Sequence, residues 1–362
     1  MNRGPCHVRL TERRGRASAL YVALVALVCV LSMIAVTMVA IDIRSGAASG
    51  ANTAGTQDTD AAKARPSAWA PAASAGIAFV RGGDIWTVAA DGREPRRLTS
   101  GSTVDRNPAW SPDRETIAFI RQPDGPEGCF ADHRVFLVAA AGGAVRQLEY
   151  EDALGRTAIH VLDSLAFSPD GRQLAFADMY AVTLDEPEYS RVVIVDLEAG
   201  TSEVVLRRKN GFGALDAYWT LSWSPDGETM LVAQAGMDVE GCEARILDLA
   251  SKRLRKLCVA DAVRADWSPD GELVVVSSAT QARSRIVLAR ANGTLVGTLA
   301  RGGYWEAPAA APPVLDACFS ADGKWIAYTV ESPKSGKPAL WVVGPDGAAR
   351  HRLTAGETAA WR

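Results

Sequence analysis

The chain has 362 residues, 48% of them hydrophobic and 22% charged, with a formal net charge of −3 at neutral pH. That balance excludes a chain disordered along its whole length and one too small to build a core. It also offers no basic excess of the kind a nonspecific nucleic-acid surface needs, and no nucleic-acid partner is expected.

The charge is unevenly spread. Residues 1–18 contain Arg3, Arg9, Arg13, Arg14 and Arg16 against Glu12, which leaves the remaining residues near −7. Ala19–Ile41 follows without a charged side chain. As a helix those 23 residues would measure about 34 Å, enough to cross a hydrocarbon core of about 30 Å. The arginine-rich flank keeps the N-terminus cytoplasmic by the positive-inside rule and sends the rest across the bilayer. The expected layout is a basic cytoplasmic tail (1–18), a transmembrane signal-anchor in contact with lipid (19–41), a flexible Ala/Gly/Ser/Pro linker (42–76) and an external domain (77–362). Secretion after cleavage of the apolar run is the alternative.

The external part repeats. PAWSPDRETIAFI at Pro108 recurs as LAFSPDGRQLAFA at Leu165, LSWSPDGETMLVA at Leu221, ADWSPDGELVVVS at Ala265 and ACFSADGKWIAYT at Ala317. In each copy an apolar strand a ends in an aromatic residue, a Ser-Pro-Asp-Gly turn reverses the chain, and an apolar strand b returns. A second hairpin, c to d, follows, as in Asp84–Ala89, ADG and Arg96–Thr99. Five a-strands against six c–d hairpins leave one blade short. The first repeat starts at strand b, Ile77–Val80, and the chain finishes on Thr358–Trp361, which reads as a strand a without its turn. Placing 358–361 beside Ile77–Val80 closes six four-stranded blades and removes the open edge of a linear stack.

The WSPDG and FSPDG turns, the IAF or LAF b-strands and the ADG…RRLT hairpin resemble the TolB-type, PD40 or WD40-like β-propeller family over about Ile77–Trp361. Two copies depart from the pattern: Arg114 stands where the turn glycine belongs, and Ala321 where the proline belongs. The resemblance implies an all-β, six-bladed propeller of four-stranded antiparallel blades. Such propellers serve in translocation machinery, as peptidase gates and as extracytoplasmic binding modules, and fold alone does not choose among these.

In an up-and-down blade the a–b and c–d turns share one face, and the b–c loops and d–a crossovers share the other. The second face carries the long connections, at 121–134, 149–161, 178–191, 207–218, 234–245 and 302–313, and is expected to hold any local function. Its aromatic candidates are Tyr180, Tyr189, Tyr218, Trp219, Tyr304 and Trp305, interleaved with Glu151, Asp152, Asp185 and Glu186. An acidic surface with aromatic anchors suits a protein or peptide segment, although carboxylates are also ordinary solvated loop residues. Near the axis, Asp105, Asp163, Asp216, Asp266, Asp316 and Glu357 precede the strand-a aromatics and would suit a divalent cation or a basic tail; their irregular offsets equally suit crossover turns. No cofactor is predicted. Cys242 and Cys258 are symmetric about residue 250 of the blade-four c–d hairpin, the arrangement of a cross-hairpin disulfide in an oxidising compartment. His7, His133, His160 and His351 have no metal-ligand spacing, and no nucleophile elbow or phosphate loop is present. The expected function is a membrane-anchored extracytoplasmic binding or scaffold module that recognises a protein or peptide. A hydrolase or cyclase at the channel mouth and a structural envelope component are the alternatives.

Overall fold

The computed structural model describes residues 76–122, 133–151, 159–181, 189–209, 217–235, 243–260, 262–279, 283–303, 314–331 and 337–361. The basic tail, the apolar run 19–41 and the linker up to residue 75 lie outside them. Among the described residues no helix is long and apolar enough to cross a membrane.

Among the described residues, twenty-four strands form six four-stranded sheets. They are β1 Gly76–Arg81, β2 Asp84–Ala89 and β3 Arg96–Arg97; β4 Val104–Trp110, β5 Thr116–Gln122, β6 Arg134–Ala139 and β7 Arg146–Gln147; β8 Ile159–Phe167, β9 Gln173–Ala181, β10 Tyr189–Asp196 and β11 Ser202–Lys209. Then come β12 Ala217–Trp223, β13 Thr229–Ala235, β14 Glu243–Asp248 and β15 Leu254–Ala260; β16 Ala262–Trp267, β17 Leu273–Ala279, β18 Arg283–Arg290 and β19 Leu295–Gly303; β20 Val314–Phe319, β21 Ile326–Glu331, β22 Pro338–Val343, β23 His351–Ala355 and β24 Glu357–Trp361. Blades 2 to 6 are consecutive meanders, whereas blade 1 has the order β24-β1-β2-β3. The last strand thus supplies the inner strand of the first blade, antiparallel to β1, with Ile77 opposite Trp361 and Ala78 opposite Ala360. This is the closure expected from the complementary chain ends.

The core is divided among the blade interfaces instead of sitting in one centre. Ile77 and Phe79 pack with Trp325, Leu340 and Val342 of blade 6, while the alternate residues Ala78 and Val80 pack with Trp110, Ile117 and Phe119 of blade 2. On β17, Val274 and Val276 meet blade 4 and Val275 meets blade 6. A b-strand buried on both faces must be apolar at every position, which is why IAFV, LAFA and LVVV show no polar alternation.

The repeated turns are built alike. Ser111 Oγ donates to Asp113 Oδ1 (2.5 Å) and accepts from the Thr116 N–H (2.9 Å), while Asp113 Oδ1 accepts from the Glu115 N–H (2.9 Å). Ser168, Ser224, Ser268 and Ser320 repeat the pattern with Asp170, Asp226, Asp270 and Asp322. The serine hydroxyl and then the backbone N–H hold the carboxyls of Asp113, Asp170, Asp226 and Asp270 below the ordinary aspartate value. With folded values below the unfolded one, these turns support the fold in full above about pH 4 and lose that support as pH falls further. Thermal melts should therefore show Tm decreasing with acid below about pH 4, with a shallower decrease once all four aspartates are changed to asparagine.

The two departures from the turn pattern fall at the ring seam, where the glycine–proline contact repeated in the other blades is missing. Each turn glycine sits against the proline of the preceding blade: a Cβ on Gly171, Gly271 or Gly323 would lie 3.5, 3.6 or 3.5 Å from Cδ of Pro112, Pro225 or Pro269. Blade 1 has no such turn, because its two innermost strands, β24 and β1, are not consecutive in the chain. Arg114 in blade 2 therefore meets no preceding proline, and Ala321 in blade 6 has no following glycine to cover. Arg114 still adopts a left-handed φ of 65°. Arg114→Gly should raise stability by about 0.5–1 kcal/mol, and Gly271→Ala should lower it by about 1–2 kcal/mol, both readable from chemical denaturation.

Cys242 lies outside the described residues. The neighbouring register pairs Arg245 with Lys256 and Glu243 with Ala260, with a bulge between them.

Candidate functional site

The inner strands β4, β8, β12, β16, β20 and β24 enclose an axial cavity of about 290 Å³ that reaches the turn prolines Pro112, Pro169, Pro225 and Pro269. Each inner strand slips register against its neighbour two to four residues before its aromatic: between Arg106 and Ala109, Leu162 and Leu165, Tyr218 and Thr220, Ala262 and Arg264, and Leu315 and Ala317, with β24 slipping opposite Ala78 and Val80. Asn107, Asp316 and Thr358, each three residues before its aromatic, carry positive φ values of 51°, 44° and 49°. A bulge bends and twists its strand, and repeating it in every blade aims one polar position at the axis.

That position and its neighbours tie the blades together. Leu221 N–H donates to Ser164 Oγ (3.0 Å), Thr220 Oγ1 donates to the Val263 carbonyl (3.1 Å), and Ser222 Oγ donates to Asp266 Oδ1 (2.7 Å). Asp266 Oδ2 accepts the Phe319 N–H of the next blade (3.0 Å), and Arg264 pairs with Asp316 at 3.2 Å. On the other side, Arg106 Nη2 donates to the Leu162 carbonyl (3.1 Å), while the Leu162 N–H donates to Nδ1 of buried His133 (3.1 Å). His133 is thus an acceptor bridging blades 2 and 3. The polar residues within apolar strands, Ser164, Thr220 and Ser222, were the missed signal.

At the opposite end, where the long connections depart, blade 3 carries a grid on one face of its sheet. Asp178, Arg191 and Arg207 are cross-strand neighbours in one row, and Tyr180, Tyr189 and Lys209 in the next. Arg191 Nε donates to Asp178 Oδ2 at 2.8 Å, with side-chain exposures of 3% and 0%. The Arg191 guanidinium lies 4.7 Å from the Tyr180 ring, Tyr180 stacks on Tyr189 with centroids 5.5 Å apart, and Arg207 lies 4.4 Å from the Tyr189 ring. Burial raises the Tyr180 phenol above its ordinary value, against the opposing pull of Arg207 and Arg191.

The sequence matches no protein-family model and none of the curated proteins. Solved structures are similar in fold: TolB from Acinetobacter baumannii at a TM-score of 0.59 and 17% identity, over 80% of this chain and 67% of that one. TolB from Agrobacterium tumefaciens gives 0.56 and 18% identity, over 78% and 90%. An oligogalacturonate lyase in complex with manganese gives 0.50 and 15%, over 75% and 70%. The chain has a TolB-type propeller fold.

Within the TolB-type ring the sequence candidates separate. Asp316 lines the axial cavity, as does Asp266. Asp105 does not: it is buried inside blade 2, where both carboxylate oxygens accept from Arg121 (2.7 and 2.8 Å). Glu357 opens β24 and is exposed; Asp163 sits at the β8 bulge, and Asp216 lies outside the described residues. Tyr180 is only 2% exposed and so supports Tyr189 instead of presenting its own ring. Glu151 is exposed, its N–H bonded to the Gly200 carbonyl and its carbonyl to Ser202 Oγ. Tyr218 and Trp219 belong to β12. Asp152, Asp185, Glu186, Tyr304 and Trp305 lie outside the described residues. Among the described residues no group of three or more His, Cys, Asp or Glu side chains could hold a metal ion.

Proposed function

We propose that this chain is a membrane-tethered, extracytoplasmic binding module, in which the propeller ring holds the long connections at one end so that they engage a protein or peptide. The supporting observation is how the axial and near-axial carboxylates are used. Asp105 serves Arg121, Asp266 serves Ser222 and the Phe319 N–H, and Asp316 serves Arg264. Asp266 and Asp316 are committed to locking blade to blade and Asp105 to bracing the β4–β5 hairpin within blade 2, which suits a rigid frame for recognition. Aromatic anchors at the long-loop end, Tyr304 and Trp305 among them, would supply the affinity.

Crosslinking followed by pull-down from intact membranes tests this reading. The wild type should capture a discrete partner, and Tyr304→Ala with Trp305→Ala should reduce its recovery about tenfold, the scale of an aromatic hot spot. Unchanged recovery would remove the long-loop face from the account. The tether is tested separately: the full chain should resist alkaline extraction from membranes, and a chain beginning at residue 42 should be released. Release of the full chain would favour a cleaved signal.

A further inference from the structure

We propose that the outer edge of blade 3 binds an extended acidic peptide segment, with Arg207 receiving a carboxylate and β11 receiving the peptide backbone. This rests on the reading of the propeller as a binding module and gives the partner segment its chemistry.

Among the described residues, β11 pairs with β10 on one side and forms the edge of its sheet on the other. It has eight residues, against two in each of the outer strands β3 and β7. Alternate residues of an edge strand turn their N–H and C=O groups outward, ready for one more strand. Neighbouring chain engages the start of β11: Ser202 meets Glu151, and Glu203 pairs with Lys252 of blade 4 at 3.0 Å. Beyond them Val204 is 41% exposed, and Arg207 and Arg208 are exposed. The accessible stretch therefore starts apolar and finishes basic.

The position of Arg207 sets its preference. The guanidinium sits 4.4 Å from the centre of the Tyr189 ring, and an arginine held over an aromatic face keeps N–H groups that can grip a carboxylate with two parallel bonds. Tyr189 is itself held by Tyr180, and Tyr180 by the buried Arg191–Asp178 pair, so the support reaches from the surface to the blade interior. Arg207, Arg208 and Lys209 follow one another along the sequence at the end of β11. On a chain whose residues after the first 18 are net acidic, this strand end is a basic island. Charge complementarity selects an acidic peptide over a second copy of the chain.

The test uses the full-length protein in detergent and two fluorescein-labelled seven-residue peptides, one alternating glutamate with valine and the other lysine with valine, read by anisotropy. The wild type should bind the acidic peptide and not the basic one. Arg207→Ala should weaken binding about tenfold or more, and Arg207→Lys should restore only part of it, because lysine cannot make the paired bonds. Arg290→Ala, an exposed arginine of blade 5, should leave affinity unchanged, and matching melting curves would show that the variants are folded. Equal binding of both peptides, or full affinity in Arg207→Ala, would overturn the proposal. So would a dimer in sedimentation that the acidic peptide does not dissociate, since the edge would then belong to a second copy. Loss of peptide binding at Arg207 with membrane partner capture intact would still support this site while assigning the captured partner to other residues; absent peptide binding with partner capture intact would sink the site alone.

Discussion

Trp361→Ala is expected to destabilise the propeller by about 3–5 kcal/mol, the range for truncating a buried aromatic. Trp361 is 4% exposed and packs with Ile77, Phe79, Trp325, Leu340 and Val342 at the interface between the first and last blades. It also pairs directly with Ile77, so its loss loosens both the core wedge and the strand that closes the ring. The connection into β24 is equally demanding. Gly356 has a φ of 150°, and a Cβ there would lie 2.4 Å from Phe79 Cδ2 and 3.0 Å from the Val80 carbonyl oxygen. Gly356→Val should match or exceed the effect of Trp361→Ala, because ring and backbone would both have to move. Urea denaturation followed by tryptophan fluorescence measures both. A cost below about 1 kcal/mol for Trp361→Ala, well short of the cavity range, would mean that the other five interfaces hold the ring without its seam.

Arg191→Ala should cost about 3–5 kcal/mol, because it leaves the Asp178 carboxylate inside the blade without its guanidinium. Both side chains are buried, so the charge cannot turn to solvent. The variant also removes the cation that rests on Tyr180. Exchanging both partners for apolar residues, Asp178→Leu with Arg191→Met, should recover most of the loss, since a well-packed apolar pair avoids the desolvation that the ion pair must offset. The double-mutant cycle in denaturant reports this coupling. Additive losses from the two single changes would show that the side chains do not act as a pair.

The architecture was legible because each repeat solves a local problem with local residues. The SPDG serine, aspartate and glycine of blade 3 bond within six residues of one another, so the turn is complete in the sequence that encodes it. Ring closure was legible for a different reason: a strand b without an a at one end and an a without its turn at the other fit together. The partners of the charged groups were not legible. Arg121 reaches Asp105 across a hairpin, and Asp178 meets Arg191 across the β9–β10 pair, so carboxylates that resemble solvated or channel groups in sequence are consumed inside blades. The inner-strand bulges were missed because the extra residue is revealed only by the register of the neighbouring strand. Tyr180 looked like a surface anchor because its loop position is apparent in sequence, whereas the arginines and tyrosine that enclose it come from β10 and β11.

Site-specific photo-crosslinking in intact membranes tests most directly which end of the ring does the binding. Val104 begins β4 at the end where the long connections leave, and it is 41% exposed; Lys324 lies in the last repeated turn at the opposite end and is also exposed. With a photoreactive phenylalanine analogue placed at either position, the account predicts a crosslinked partner band from position 104 and none from position 324. A band from 324 alone would place the binding surface on the short-turn face and contradict it.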